Sequence, residues 1–238
     1  MKNVIFILLA FFTVSSTVTA QNFMEGYFSF SSKKESYITM QNGDEVTGFI
    51  DDIDRKKGLI EKIELKTTDG KKLKLLPKDI KSMFLAPSGF EKLASISEKI
   101  NEGDLTEANK DRTMHKAYVK KGYVYFENCT VALKKGTETL LMQLVNPAFA
   151  QKTKVFYNPY TSETTSYSVG GFKVAGGIAE SYYIQRGDAP AYLISKKTYK
   201  KEFPKFFGDC KDLVKHFKNT VKWSEFEGHV YYYDNNCN

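Results

Sequence analysis

The chain has 238 residues, 42% of them apolar or aromatic, and a formal net charge of +7 from 35 basic and 28 acidic residues. That length and apolar content suit one large or two small globular domains and exclude a disordered or fibrous chain. Arginine occurs only at Arg55, Arg112 and Arg186, and specific nucleic-acid readers lean on the guanidinium fork, so no nucleic-acid partner is expected and the charge reads as a lysine-rich solvated surface.

Met1 to Ala20 comes first. Lys2 gives a short positive start, Val4 to Val14 is almost unbroken apolar sequence, and Val18-Thr19-Ala20 places small residues where a signal peptidase cuts. This is the pattern of a secretory signal peptide, with cleavage predicted between Ala20 and Gln21. The mature chain holds no other stretch near the ~20 apolar residues of a membrane helix, so no transmembrane segment is expected in it. The expected location is the periplasm or the extracellular medium. In such a compartment three cysteines, Cys129, Cys210 and Cys237, imply one disulfide and one leftover thiol.

Residues 21–86 read as a small β module. Asn42-Gly43-Asp44 and Asp69-Gly70 are tight-turn signals, Gly48 marks a bend, and Ile63, Leu65, Leu73 and Leu75 alternate with charged residues. Asp51 to Gly58 reads as a polar loop. Its Asp51, Asp52 and Asp54 do not meet a calcium-loop pattern, because Lys56 and Lys57 stand where a ligand and the glycine belong. Pro77 to Ile80 reads as a helical turn before a last strand. Asn42-Gly43-Asp44, Gly48, Asp69-Gly70 and the Ile80-Lys81-Ser82-Met83 end together resemble a small SH3-like or Sm-like barrel, a resemblance that implies no function.

Residues 87–116 read as a linker helix region, with Phe90, Leu93, Ala94, Ser97 and Ile100 on one face and His115 in its polar end. Residues 117–204 read as an antiparallel meander. Its short strands include Thr139 to Val145, Lys154 to Tyr157, Ser181 to Gln185 and Tyr192 to Ser195, split by Asn146-Pro147, Asn158-Pro159, Gly170-Gly171, Gly176-Gly177 and Arg186-Gly187-Asp188. Arg186-Gly187-Asp188 is a good turn sequence before it is an adhesion motif. Asn128-Cys129-Thr130 fits a glycosylation pattern that is usually unused in bacteria. The tyrosines from Tyr157 to Tyr199 either fill the sheet faces or line a groove for sugars or peptides.

Residues 205–238 read as a helical hairpin after Pro204 closes the sheet region. Asp209 suits the cap of a helix from Cys210, and Ser224-Glu225-Phe226-Glu227 is a capping box. Trp223, Phe226, Val230 and Tyr233 make one helical stripe, although a strand over His229 to Tyr233 is the rival reading. Antiparallel arms of nearly equal length bring Cys210 beside Cys237, which predicts that disulfide and leaves Cys129 buried and free.

The expected fold class is therefore mainly β, with an SH3-like N-terminal barrel, an antiparallel meander and a C-terminal αα-hairpin. No hydrolase elbow, His-Glu-x-x-His or Cys-x-x-Cys occurs, and no catalytic residue, metal site or cofactor is assigned. Phe206-Phe207-Gly208-Asp209-Cys210, Tyr232 to Cys237, Asn146-Pro147 and Tyr157-Asn158-Pro159 resemble uncharacterised exported proteins of Gram-negative bacteria. The functional expectation is a non-catalytic envelope protein that binds or scaffolds an envelope protein or glycan. The alternative is a secreted hydrolase acting on glycan or peptide with carboxylates drawn from separate strands.

Overall fold

The computed structural model describes residues 23–89, 117–119, 121–160, 167–169, 172–175, 179–219 and 221–237. The signal peptide with its Ala20–Gln21 cut, residues 90–116 of the linker with His115, and both Gly-Gly pairs lie outside the described residues.

The first sheet contains β1 (Glu35–Met40), β2 (Glu45–Lys56), β3 (Leu59–Thr67), β4 (Lys72–Leu75), β5 (Ile80–Leu85), β6 (Val124–Ala132) and β7 (Thr137–Gln143). Its order is β4-β3-β2-β1-β5-β6-β7, antiparallel throughout. The expected small barrel is corrected here, because among the described residues no sheet closes on itself. One edge of β5 pairs with β1, and its other edge is taken by β6, with Phe84 opposite Tyr125. The sheet thus runs on into strands that the sequence reading assigned to the later antiparallel region.

Next come β8 (Thr153–Tyr157), a hairpin of β9 (Tyr167–Val169) and β10 (Phe172–Ala175), then β11 (Ser181–Arg186) and β12 (Tyr192–Ser195). β8, β11 and β12 form a second sheet in the order β12-β11-β8. Among the described residues three α-helices follow: α1 (Tyr199–Phe207), α2 (Lys211–Phe217) and α3 (Phe226–Asn236). Among the described residues no helix is long and apolar enough to cross a membrane.

Strand alternation sorts the side chains into three cores, since successive residues point to opposite faces. Met83, Leu85, Val124 and Phe126 join Ile38, Ile50, Ile63 and Leu65 on one face of the first sheet. Phe84, Tyr125, Cys129, Val131 and Met142 point the other way and meet Phe156 and Tyr183 of the second sheet. Val155, Tyr182, Ile184 and Ile194, on the far face of that second sheet, pack under Phe203, Phe206, Phe207, Leu213, Phe226 and Val230 of the helices. Among the described residues the fold is mainly β, with two packed antiparallel sheets, a separate two-stranded hairpin and a helical layer.

Local corrections follow physical causes. The polar loop expected at Asp51 to Gly58 is strand as far as Lys56, and the turn is Lys57-Gly58, both at positive φ (51° and 83°), as a two-residue hairpin requires. Cross-strand ion pairs replace apolar alternation there: Lys62 Nζ lies 2.7 Å from Asp54 and Lys72 Nζ 2.6 Å from Asp51. Pro204 does not end a sheet but sits inside α1. A proline there costs about 3 kcal/mol, and the i, i+4, i+7, i+8 burial of Tyr199, Phe203, Phe206 and Phe207 offsets it, at roughly 1.5–3 kcal/mol per large apolar side chain.

The capping box does not form. A 3-10 turn at Trp223–Glu225 precedes α3, whose N-cap is Glu225 with no side-chain cap bond. Glu227 instead accepts the amide of Phe23 at 3.2 Å. Asp209 does not cap α2 either, whose N-cap is Cys210. The helical face through Trp223, Phe226, Val230 and Tyr233 is present, not the rival strand over His229 to Tyr233.

Candidate functional site: a guanidinium cleft where the sheets meet

The segment 23–29 has no regular secondary structure and crosses the junction between the sheets. It is stitched down by Met24 N to Val145 O (2.7 Å) and by Gln143, whose Oε1 accepts the amide of Tyr27 (2.9 Å) and whose Nε2 donates to Glu25 O. Gly26 lies flat on the Tyr157 ring: a Cβ there would meet ring carbons at 2.4 Å. The β2–β3 turn reaches the same place, and a Cβ on Gly58 would meet Pro159 Cβ at 2.8 Å. Asn158 holds the Pro159 wall through Nδ2 to Ser181 Oγ at 2.9 Å.

These approaches leave a narrow cleft, with about 20 Å³ of free space, lined by Tyr27, Phe28, Leu59, Phe126, Tyr157 and Pro159, with Arg55 as its charged group. Arg55 Nη1 donates to Gly58 O at 2.9 Å. Its Nε and Nη2 are buried and have no hydrogen-bond partner. Phe28 and Phe30 stand 5.4 and 6.0 Å from the guanidinium carbon, in cation–π range. Phe28 itself is 47% exposed. Among the described residues the ion pairs join other groups, and none includes Arg55. Burial presses the Arg55 pKa down, but a guanidinium keeps its charge in proteins. Tyr27 beside it is pushed up to about 12, first by burial and then by Glu25, so its phenol stays protonated at neutral pH.

The sites singled out from the sequence take structural roles. The sulfurs of Cys210 and Cys237 are 2.04 Å apart, with Cα atoms 5.6 Å apart, while Cys129 is free and buried. Burial pushes the Cys129 thiol up to about 12, so it stays protonated. Asn128 donates its side-chain amide to Pro77 O at 2.9 Å and to Ile80 O, which occupies the nitrogen of the glycosylation motif. Arg186 donates to Phe206 O at 2.7 Å, pairs with Asp209 and lies 4.5 Å over the Tyr233 ring. The arginine of the Arg186-Gly187-Asp188 turn is therefore held by the helices. Tyr157, Tyr182, Tyr183 and Tyr199 are buried in the cores, while Tyr160 is exposed.

Two further polar groups are spent on the fold. Asn146 donates to Thr153 O and accepts from Val155 N, both at 2.8 Å, closing the turn between β7 and β8. Asp234 on α3 accepts the amides of Gln151, Lys152 and Thr153. Among the described residues no cluster of three His, Cys, Asp or Glu is placed to hold a metal ion. His229 is fully buried, hydrogen-bonded through Nδ1 to the Tyr199 hydroxyl, and His216 stacks on Tyr232 instead.

Sequence reasoning missed Arg55, which it placed in a loop. The available signal was scarcity: where lysine supplies nearly all the positive surface, an arginine marks a position that uses the planar fork. Comparison with family models, curated proteins and solved structures finds no match to this chain.

Proposed function

We propose that this chain is an exported, non-catalytic envelope protein that holds a partner at the Arg55 cleft. The observation that carries the reading is a buried guanidinium whose Nε and Nη2 have no partner, inside an aromatic cleft. Leaving buried donors unsatisfied costs stability, and a fold tolerates that cost where a ligand satisfies them. The Cys210–Cys237 bridge, closing a C-terminal helical hairpin, supports an oxidising compartment. A hydrolase would require converging carboxylates or a nucleophile with its base. The described lining of this cleft carries neither, and no observation favours that alternative.

The test is capture from the native envelope with immobilised mature chain, residues 21–238, beside its Arg55→Gln variant. A specific partner held by the wild type and released by the variant is the expected result. No specific partner, or equal capture by both, would sink the reading. Amino-terminal sequencing of the exported protein checks that it begins at Gln21.

A further inference from the structure

We propose that the Nε–Nη2 edge of Arg55 is a carboxylate fork, and that the cleft takes a carboxylate borne on an apolar body, either a peptide chain end or a small free acid. This deepens the binding reading above and rests on it.

The choice of edge follows from covalent geometry. Nε–H and one Nη2–H of a guanidinium point in parallel along the same side of the plane, spaced to match the two oxygens of a carboxylate. In Arg55 those two nitrogens are the ones without partners, while Nη1, on the other side, is held by Gly58 O. The Gly58 bond fixes the plane, and the flanking Phe28 and Phe30 rings keep it from turning. The fork is thus oriented before any ligand arrives, which lowers the ordering cost of binding.

The occupant's charge and shape follow from the walls. One cation lines the cleft and no second basic side chain does. A single guanidinium matches the single charge of a carboxylate. A phosphate dianion calls for more donors or a second positive group. Leu59, Phe126, Tyr157 and Pro159 offer hydrocarbon and ring surface to whatever carries the carboxylate. The free space beside the guanidinium is about 20 Å³, little more than one water occupies, so an end group enters only as the cover over the cleft moves aside, and the body of a polymer stays outside. Phe28, half exposed on a segment without strand pairing, covers the edge, and rotation of its ring admits the ligand.

The test uses the purified mature chain, residues 21–238, with four probes: hexanoate, a tripeptide of apolar residues with a free C-terminal carboxylate, the same tripeptide as its amide, and inorganic phosphate. Calorimetry reads affinity, and the arginine Nε–H region of an NMR spectrum reads the site, because the chain has three arginines and hence three such signals. The expected result is saturable binding of a carboxylate probe with movement of one Nε–H signal. The amide and Arg55→Gln should each weaken binding roughly 10- to 100-fold, the loss expected when charge-assisted hydrogen bonds are removed. Tighter binding of the tripeptide than of hexanoate identifies a chain end, and the reverse identifies a small acid.

Failure of both carboxylates to bind overturns the proposal, as does equal affinity for the amide, tighter binding of phosphate, or no Nε–H movement in the wild type. This last reading needs no variant, so a misfolded Arg55→Gln does not blunt the test. Phe28→Ala should speed association, and an unchanged rate removes Phe28 as the cover. Envelope capture that depends on Arg55 while no carboxylate probe binds overturns the carboxylate alone. Capture indifferent to Arg55→Gln overturns the binding reading itself.

Discussion

The two arginines within the described residues sit in opposite circumstances. Arg186 lies where β11 meets the helices, with Nη1 on a backbone carbonyl, Nη2 on the Asp209 carboxylate and its plane over the Tyr233 ring. Arg55 lies at the tip of β2 with one carbonyl and two rings, and half of its fork is left over. The same side chain is a staple where both terminal nitrogens are bonded and, in our proposal, a binding group where Nε and Nη2 are not. The difference lies in hydrogen-bond satisfaction and not in burial or charge alone, because both guanidiniums are partly buried and both are cationic.

That contrast can be broken by experiment, starting with the stapled region. Cys210→Ser with Cys237→Ser opens a loop of 27 residues' separation, and the chain-entropy model gives a loss of roughly 3.5 kcal/mol. Urea unfolding of the oxidised wild type beside the double variant measures it, and an unchanged midpoint contradicts the staple. The next largest effect is acid sensitivity. Burial pushes His229 down to about 4 from 6.5. Between those values the unfolded chain takes up a proton that the folded chain refuses. Stability present above pH 6.5 should therefore fall as the pH drops towards 4, by on the order of 3 kcal/mol. His229→Gln should flatten that part of the profile.

Smaller effects separate the two arginines directly. Arg186→Ala removes the donor of Phe206 O and leaves Asp209 with the Tyr233 hydroxyl alone, and should destabilise by about 2 kcal/mol, read by thermal melting. Arg55→Met keeps the length and removes the unpaired charge. It should raise stability by about 1 kcal/mol while abolishing carboxylate binding. If Arg55→Met instead costs as much as Arg186→Ala, both arginines are staples and the contrast fails.

Much of the sheet content was legible, because alternation at Ile63, Leu65, Leu73 and Leu75 and the Asn42-Gly43 and Asp69-Gly70 turns encode strands locally. The outer half of β2 was not, because Asp51 and Asp54 look like loop residues until Lys72 of β4 and Lys62 of β3 come within reach of them. α1 was hidden by Pro204, whose local signal is overridden by four buried rings that only the second sheet can receive. The capping residues misled for the same reason: Asp209 and Glu227 satisfy partners that are remote in sequence. The cleft was the least legible feature, since Tyr27, Arg55 and Tyr157 come together only after three separate segments have folded.

Phe23 has a consequence for how the molecule is made. Its ring packs against Tyr182 and Phe226, and its amide bonds Glu227, 204 positions away. A chain that emerges from its amino end therefore carries this residue without Phe226 and Glu227 until the first turn of α3 has been delivered. Contacts of such separation form late and slowly. The first and last described pieces of the protein close over one another, so this seam is completed only once its final helix is out.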